Sequence, residues 1–385
     1  MWGQVTTIFY ALSLLGTADP ADSTLANQKR SAAILNELWK AQQNHPGIAH
    51  YLIHSLDYPA LAPEGLEAAR VYAGIAPSSA HALHMPSHIF TCVGLWEESI
   101  ATNINSRDAA RELLAKTRPG VLAISELHAQ DYLEYAYLQI DDQTRAQAVV
   151  EEVHHGTTIE AASFGAAYAL AAVPARWALE RRDWQAATAV AFTADMPLDG
   201  FPYIRAITPF ARALGAARTG QIEQAHAQVE KIREVQLGLA KSPIAGPYDW
   251  ASNVEAMRLA AAAWVAHAEK RTAEALDLAR SAADLDEATG KHPVTPGLLL
   301  PPRELLGDML MELDRPAEAL VEYEQSLRQA PNRFNSLYGA ARAAELSDNS
   351  QRAEELYVEL VEMTVDGSTR SEVEHARAFL ERRGG

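Results

Sequence analysis

The chain has a single cysteine, Cys92, among its 385 residues. One thiol forms no intramolecular disulfide and no thiolate metal cluster, so neither device holds this fold together. Basic residues are scarce too: 33 Lys and Arg stand against 50 Asp and Glu, a formal net charge of −17. No basic stripe is there to neutralise phosphates, which argues against a nucleic-acid partner, and the excess of acid attracts cations. No apolar run reaches the 18 or more residues of a membrane span. The first sixteen residues are partly apolar but lack the basic start and cleavage site of a signal peptide. They read instead as an amphipathic helix from about Thr6 to Leu15. The expectation is a soluble chain whose compartment stays open: cytoplasmic, or exported if this N-terminus is a shortened one. Also missing are G-x-x-x-x-G-K-[ST], G-x-G-x-x-G, G-x-S-x-G and H-E-x-x-H, so nucleotide binding and common hydrolase chemistry have no support.

What is present is helical and repetitive. Hydrophobic residues make up 48%, alanine is abundant and β-branched runs are few, which favours helix. Pro and Gly punctuate candidate loops at Pro59–Gly65, Thr117–Gly120, Asp195–Pro202, Lys241–Pro247 and Gly290–Pro302. Arg303-x2-Leu306-Gly307-x2-Leu310, then Ala319-x3-Tyr323 and Pro331, fit the 34-residue tetratricopeptide template, a helix–turn–helix unit. Ala353 and Tyr357 repeat Ala319 and Tyr323 one period later. Weaker anchors at Gly94-x-Trp96, Arg182-x-Trp184, Gly220 and Lys270 extend the pattern backwards at intervals of about 34 to 50 residues. The expected fold is all-α: a tetratricopeptide-like α-solenoid, a right-handed superhelix of about eight helical pairs. Residues 1–300 should hold divergent repeats and 301–385 regular ones, in one continuous solenoid. Nearest-neighbour packing would then let the C-terminal repeats fold by themselves.

Six of the thirteen histidines fall between His45 and His88. His50 with His54, and His84 with His88, each have the spacing that puts two imidazoles on one helix face. The two pairs stand one repeat period apart, so neighbouring helices should aim them at one another. In the same register His81 precedes the second pair, and His128, Asp131 and Tyr135 occupy the next first helix. Packed helices lie about 8–10 Å apart, a gap two imidazoles can span to one ion. Neutral imidazole suits zinc, iron or copper, not calcium or magnesium. The expected ligands are therefore His50, His54, His84, His88, His81, His128 and Asp131, with the four paired histidines converging on one point or serving two ions. Tyr135, Arg176 and Glu304 are expected to support the ligands or touch a substrate. The plainer reading of Glu304 and Asp308 is a solvated acidic face, and of Arg176 a surface charge. Pro86 should start or kink a helix and bias Met85 away from the α region, which makes His81 a weaker ligand than His88. His45 reads as a turn residue. His154, His155, His226, His267, His292 and His375 have no partners in sequence and read as packed or solvated side chains.

The motifs His45-Pro-Gly-Ile-Ala-His50-Tyr-Leu-Ile-His54 and His81-Ala-Leu-His84-Met-Pro-Ser-His88-Ile-Phe resemble those of a bacterial group of tetratricopeptide proteins. Pro301-Pro-Arg-Glu-Leu-Leu-Gly-Asp308 and Asn332-Arg-Phe-Asn-Ser-Leu-Tyr-Gly-Ala-Ala-Arg342 resemble it as well. The resemblance implies that the first-helix positions line a concave groove, and that relatives extend further at the N-terminus. The functional expectation is a divalent transition metal held in the N-terminal groove, serving an enzyme that acts on a small molecule. The alternative is a non-catalytic scaffold that binds a peptide or protein partner in the groove.

Overall fold

The computed structural model describes residues 2–19, 21–155, 158–244 and 248–384; of the expected Lys241–Pro247 loop, 245–247 lie outside them. The N-terminal third contains α1 (Trp2–Gly16), α2 (Ala26–Ala41), α3 (Pro46–Leu56), α4 (Leu66–Ile75), α5 (Ala80–His84), α6 (Pro86–Cys92) and α7 (Trp96–Ala115). The middle contains α8 (Ile124–Gln139), α9 (Gln143–His155), α10 (Phe164–Glu180), α11 (Trp184–Ala189), α12 (Ile207–Arg218) and α13 (Ile222–Lys241). The rest comprises α14 (Trp250–Ala268), α15 (Thr272–Thr289), α16 (Pro302–Glu312), α17 (Pro316–Gln329), α18 (Phe334–Leu346), α19 (Ser350–Met363) and α20 (Ser371–Gly384). No described helix is long and apolar enough to cross a membrane.

The helices pair in a regular way. Gly94, Asp141, Arg182, Gly220, Lys270, Asp314 and Asp348 all have positive φ, between 55° and 74°. Each stands in the short turn that joins the two helices of one pair, from α6–α7 through α18–α19. A left-handed residue after the last helical turn lets the next backbone N–H close on the outgoing carbonyls. In all seven turns the N–H of the next residue does this, as Leu95 to Phe90 and Arg315 to Leu310 show. Asn, Asp or Gly would be the usual choice there; Arg182 and Lys270 show that the helix pair imposes the conformation. The chain is an all-α, tetratricopeptide-like α-solenoid, with α1–α4 preceding the first such turn and α20 following the last.

Small residues are placed where aromatics from neighbouring helices press in. A Cβ on Gly339 would sit 2.4 Å from Tyr323 Cζ, and one on Gly307 would sit 2.8 Å from the same ring. Tyr323 is thereby clamped between α16 and α18, the role its spacing predicts.

The solenoid also closes on itself. Trp96 Nε1 donates to the Asn332 carbonyl at 2.8 Å, and Asn332 Nδ2 donates to the Gly94 carbonyl at 3.1 Å. Gly94 has φ +71°, and a Cβ there would lie 2.5 Å from the Pro331 carbonyl oxygen, so both its backbone and its contact require glycine. Further along, the Phe334 N–H donates to Gln139 Oε1 at 3.0 Å, and the Val365 N–H donates to the Ile140 carbonyl at 2.9 Å. Repeat stability is therefore not carried by neighbours alone, and the C-terminal repeats pack onto α6–α10 instead of standing free. Two large apolar clusters meet near residue 95, one running from Ile8 to Cys92 and the other from Trp96 to Phe379, with a small third one at Ala110, Leu114 and Ala123. The histidines sit at that seam.

Candidate metal centre

Helices α3, α5–α6, α8 and α10 are successive first helices. Their facing side chains meet where α5 gives way to α6. Pro86 is the first residue of α6, yet Met85 stays in the α region, at φ −50° and ψ −39°. The expected bias away from that region is overridden because the Met85 side chain is fully buried and its N–H still reaches the His81 carbonyl at 3.0 Å. The result is a broken but continuous helical path, so His81, His84 and His88 keep helical spacing.

The histidines separate into two groups of three. His50, His54 and His81 form the first, and His84, His88 and His128 the second; within each, the candidate donor atoms all lie within 4.8 Å of one another. The four paired histidines therefore do not share one point. His54 and His88 approach to 6.2 Å between ring centroids, where the groups come closest to merging. In the first group His50 Nε2 is 3.0 Å from His54 Nε2 and 3.1 Å from His81 Nε2. His81 belongs fully to this set, despite the proline beside it. In the second group His84 Nε2 lies 3.1 Å from His88 Nε2, and the His128 ring stands 4.3 Å from that of His84. An ion about 2.0–2.1 Å from each of two nitrogens separates them by roughly 2.9 Å at a right angle and roughly 3.4 Å at the tetrahedral angle. The observed separations fall in that interval.

The tautomers of the buried pair follow from their other partners. Asn103 donates its amide N–H to the Ser99 carbonyl at 2.8 Å, so its Oδ1 faces His84 Nδ1 at 2.6 Å as an acceptor. His84 must then carry its proton on Nδ1. His88 Nδ1 lies 2.8 Å from the Asp57 carboxylate and must be protonated there too. With both Nδ1 atoms holding protons, the two rings can meet only through their Nε2 atoms, which face each other at 3.1 Å. Lone pairs at that distance repel, and only a cation between them turns the contact favourable.

Asp57 is the most informative residue that sequence reasoning missed. It is fully buried, receives the Lys291 ammonium at 3.1 Å and accepts a weak bond from Cys92 Sγ at 3.3 Å. Burial alone would raise its carboxyl, but Lys291 and His88 outweigh it and hold the group down to about 2. It remains an anion that orients His88, the arrangement by which outer carboxylates fix ligating histidines. Tyr132 closes the same side, its hydroxyl 3.2 Å from His88 Nδ1 and donating to the Val294 carbonyl at 3.1 Å. Asp57 is three residues beyond His54 and Lys291 lies in the loop that looked specialised, but nothing in sequence joins them. Burial, reinforced by repulsion among neighbouring rings, holds His50 down to about 4 and His54 and His128 to about 3. These imidazoles are neutral and able to ligate.

Several expected participants lie elsewhere. Asp131 is buried against Arg176, 2.9 Å away, and Glu134 reaches the same guanidinium nitrogen at 2.8 Å. Asp131 is thus committed to an ion pair and not aimed at the histidines, and Arg176 is a core residue, not a surface charge. Tyr135 accepts from Arg333 at 3.1 Å. Glu304 is fully buried, not a solvated acid: Arg333 Nε pairs with it at 3.0 Å and Ser336 donates to it at 2.5 Å. Tyr135, Arg176 and Glu304 thus tie the core together beside the site. His45 caps α3 by accepting from the Ile48 N–H. His226, His267 and His375 each pair with a glutamate, while His292 packs among Phe164, Tyr248 and Trp250.

No protein-family model and no curated protein matches this chain. Solved structures similar to it are themselves tetratricopeptide proteins. One from Parabacteroides merdae is 11% identical, with 80% of this chain and 100% of that one covered and a TM-score of 0.39. Yeast Tom70 is 10% identical, over 95% of this chain and 89% of its own, with a TM-score of 0.39. The tetratricopeptide domain of P58(IPK) is 13% identical, over 99% of each chain, with a TM-score of 0.28.

Proposed function

We propose that this α-solenoid is a metal-binding protein that holds a divalent transition ion, zinc, iron or copper, in each of its two trihistidine groups. The observation that carries the reading is the face-to-face pair of Nε2 lone pairs on His84 and His88, fixed by Asn103 and Asp57. Three histidines with a further coordination position free is the ligand set of a catalytic ion, which activates water or polarises a small molecule. In the buried group a rotation of the His128 ring toward His84 and His88 would complete such a set. The first group is nearer to solvent and suits exchange of ions or ligands.

The repeat fold by itself supports a plainer reading, a non-catalytic scaffold for a peptide or protein. That reading explains the helices but gives no reason to bury two histidines with their lone pairs opposed. Cobalt(II) added to the metal-free, untagged chain separates the two. Metal binding predicts visible d–d absorption of nitrogen-ligated cobalt, reduced when His84 and His88 are both replaced by alanine. A spectrum identical to that of aqueous cobalt would sink the metal reading and leave the scaffold.

A further inference from the structure

A second feature lies beside the metal centre and does not depend on it. A cavity of about 130 Å³ opens between α12, α14, α15 and the Gly290–Pro301 segment. Aromatic rings form one part of its wall, beside Met257, Leu299 and Leu300. Tyr203 stacks flat on Trp250 with 3.6 Å between ring centroids, and Tyr248 meets Trp250 edge-on at 4.8 Å. An engineered apolar cavity of about 150 Å³ accepts benzene, so this space matches an apolar body of about one ring.

The charges around it do not cancel. Lys291 is paired with Asp57, and Arg303 is paired with Glu287 at 2.7 Å and Glu322 at 2.8 Å. Asp286 also lines the cavity, and the Arg303 charge that acts on it is already shared between Glu287 and Glu322. Burial, with the nearby Glu287 charge, pushes its carboxyl up to about 7. Asp286 is only partly exposed, so its carboxylate is incompletely hydrated and gains from a cation brought against it. Here it stands beside ring faces whose quadrupoles also attract positive charge. An anionic ligand would find no uncommitted cation, since both basic side chains are already paired and burial keeps His292 neutral, down to about 3.

We propose that this cavity binds a small organic cation: a protonated or quaternary amine carried on an apolar body of about one ring. The Asp286 carboxylate takes the ammonium, and Tyr203, Tyr248 and Trp250 enclose the body.

The test compares 2-phenylethylammonium with 2-phenylethanol, a neutral molecule of the same shape, by calorimetric titration of the full chain. The ammonium is expected to bind at least about ten-fold more tightly, the scale of one desolvated charge contact. Asp286→Asn should abolish that preference while keeping the alcohol's affinity, and Trp250→Leu should weaken both ligands. Melting followed by circular dichroism checks that each variant is folded, and the unaltered chain alone still decides between the two ligands. Equal affinity for both in the unaltered chain, or a preference that survives Asp286→Asn, would overturn the proposal. So would the absence of binding by either at millimolar concentration. Repeating the titration after chelation keeps this result separate from the fate of the metal reading.

Discussion

Helix α8 carries two solutions to one problem, a turn apart. On one side His128 and Tyr132 join a buried histidine group; on the other Asp131, Glu134 and Tyr135 turn to Arg176 and Arg333. Both clusters bury titratable groups, and burial disfavours charge in both. In the arginine cluster the chain supplies its own compensation: Arg333 stands between Glu180 and Glu304, Arg176 stands between Asp131 and Glu134, and the Glu134 carboxyl, raised to about 8, keeps a proton. In the histidine cluster the outer partners are present, but nothing from the chain stands between the Nε2 atoms of His84 and His88. A buried cluster that closes with its own guanidiniums and a retained proton builds structure. One that stops a cation short points to a ligand.

The largest effect that can break this contrast is expected at Arg333. Arg333→Met leaves Glu180 and Glu304 buried without a guanidinium and should cost about 3–5 kcal/mol of stability, read from urea unfolding. A loss under about 1 kcal/mol would mean that the cluster is not closed by that charge. Next in size is the metal itself. Zinc at about 100 times its dissociation constant should stabilise the chain by about 2.7 kcal/mol for each ion bound, and a chelator should remove the increment. The gain should fall by about half in a His84→Ala, His88→Ala variant, which keeps the His50, His54 and His81 group, whereas an Arg333 variant that folds should keep it whole.

Asp57→Asn sharpens the comparison further. It removes the anion that orients His88 without touching a ligand, so zinc affinity should fall about 10–100-fold in a competition titration. Unchanged affinity would show that Asp57 serves Lys291 alone. The smallest effect concerns pH. Burial raises the Glu134 carboxyl to about 8, because Arg176 is shared with Asp131. The folded chain then holds a proton that the unfolded chain releases near the ordinary glutamate value. This stabilising contribution is complete at pH below about 4.5 and declines as pH rises through 8. Glu134→Gln should flatten that slope in unfolding curves taken across the range, and an unaltered slope would assign it to other groups.

Local information was legible in the sequence, and long-range closure was not. The turns at Gly94, Arg182, Gly220 and Lys270 recur where the repeat anchors stand, since each is set by a few adjacent residues. The i, i+4 histidine pairs are likewise a property of one helix. Their division into two groups depends on how α3, α5 and α8 rotate against one another, which spacing does not encode. Glu304 reads as an exposed acid until Arg333, 29 residues later, is brought against it. Asp57 and Lys291 are 234 residues apart, and only the closure of the solenoid onto its first half makes them a pair. Met85 fails the rule for residues before proline because tertiary packing outweighs a local preference.

The most direct measurement is the metal content of the full chain, purified without a histidine tag and loaded with zinc, then passed through a desalting column. Two trihistidine groups predict two ions per chain, and one ion after His84→Ala with His88→Ala. A chain that emerges with no zinc, equal to its doubly substituted variant, would contradict the account.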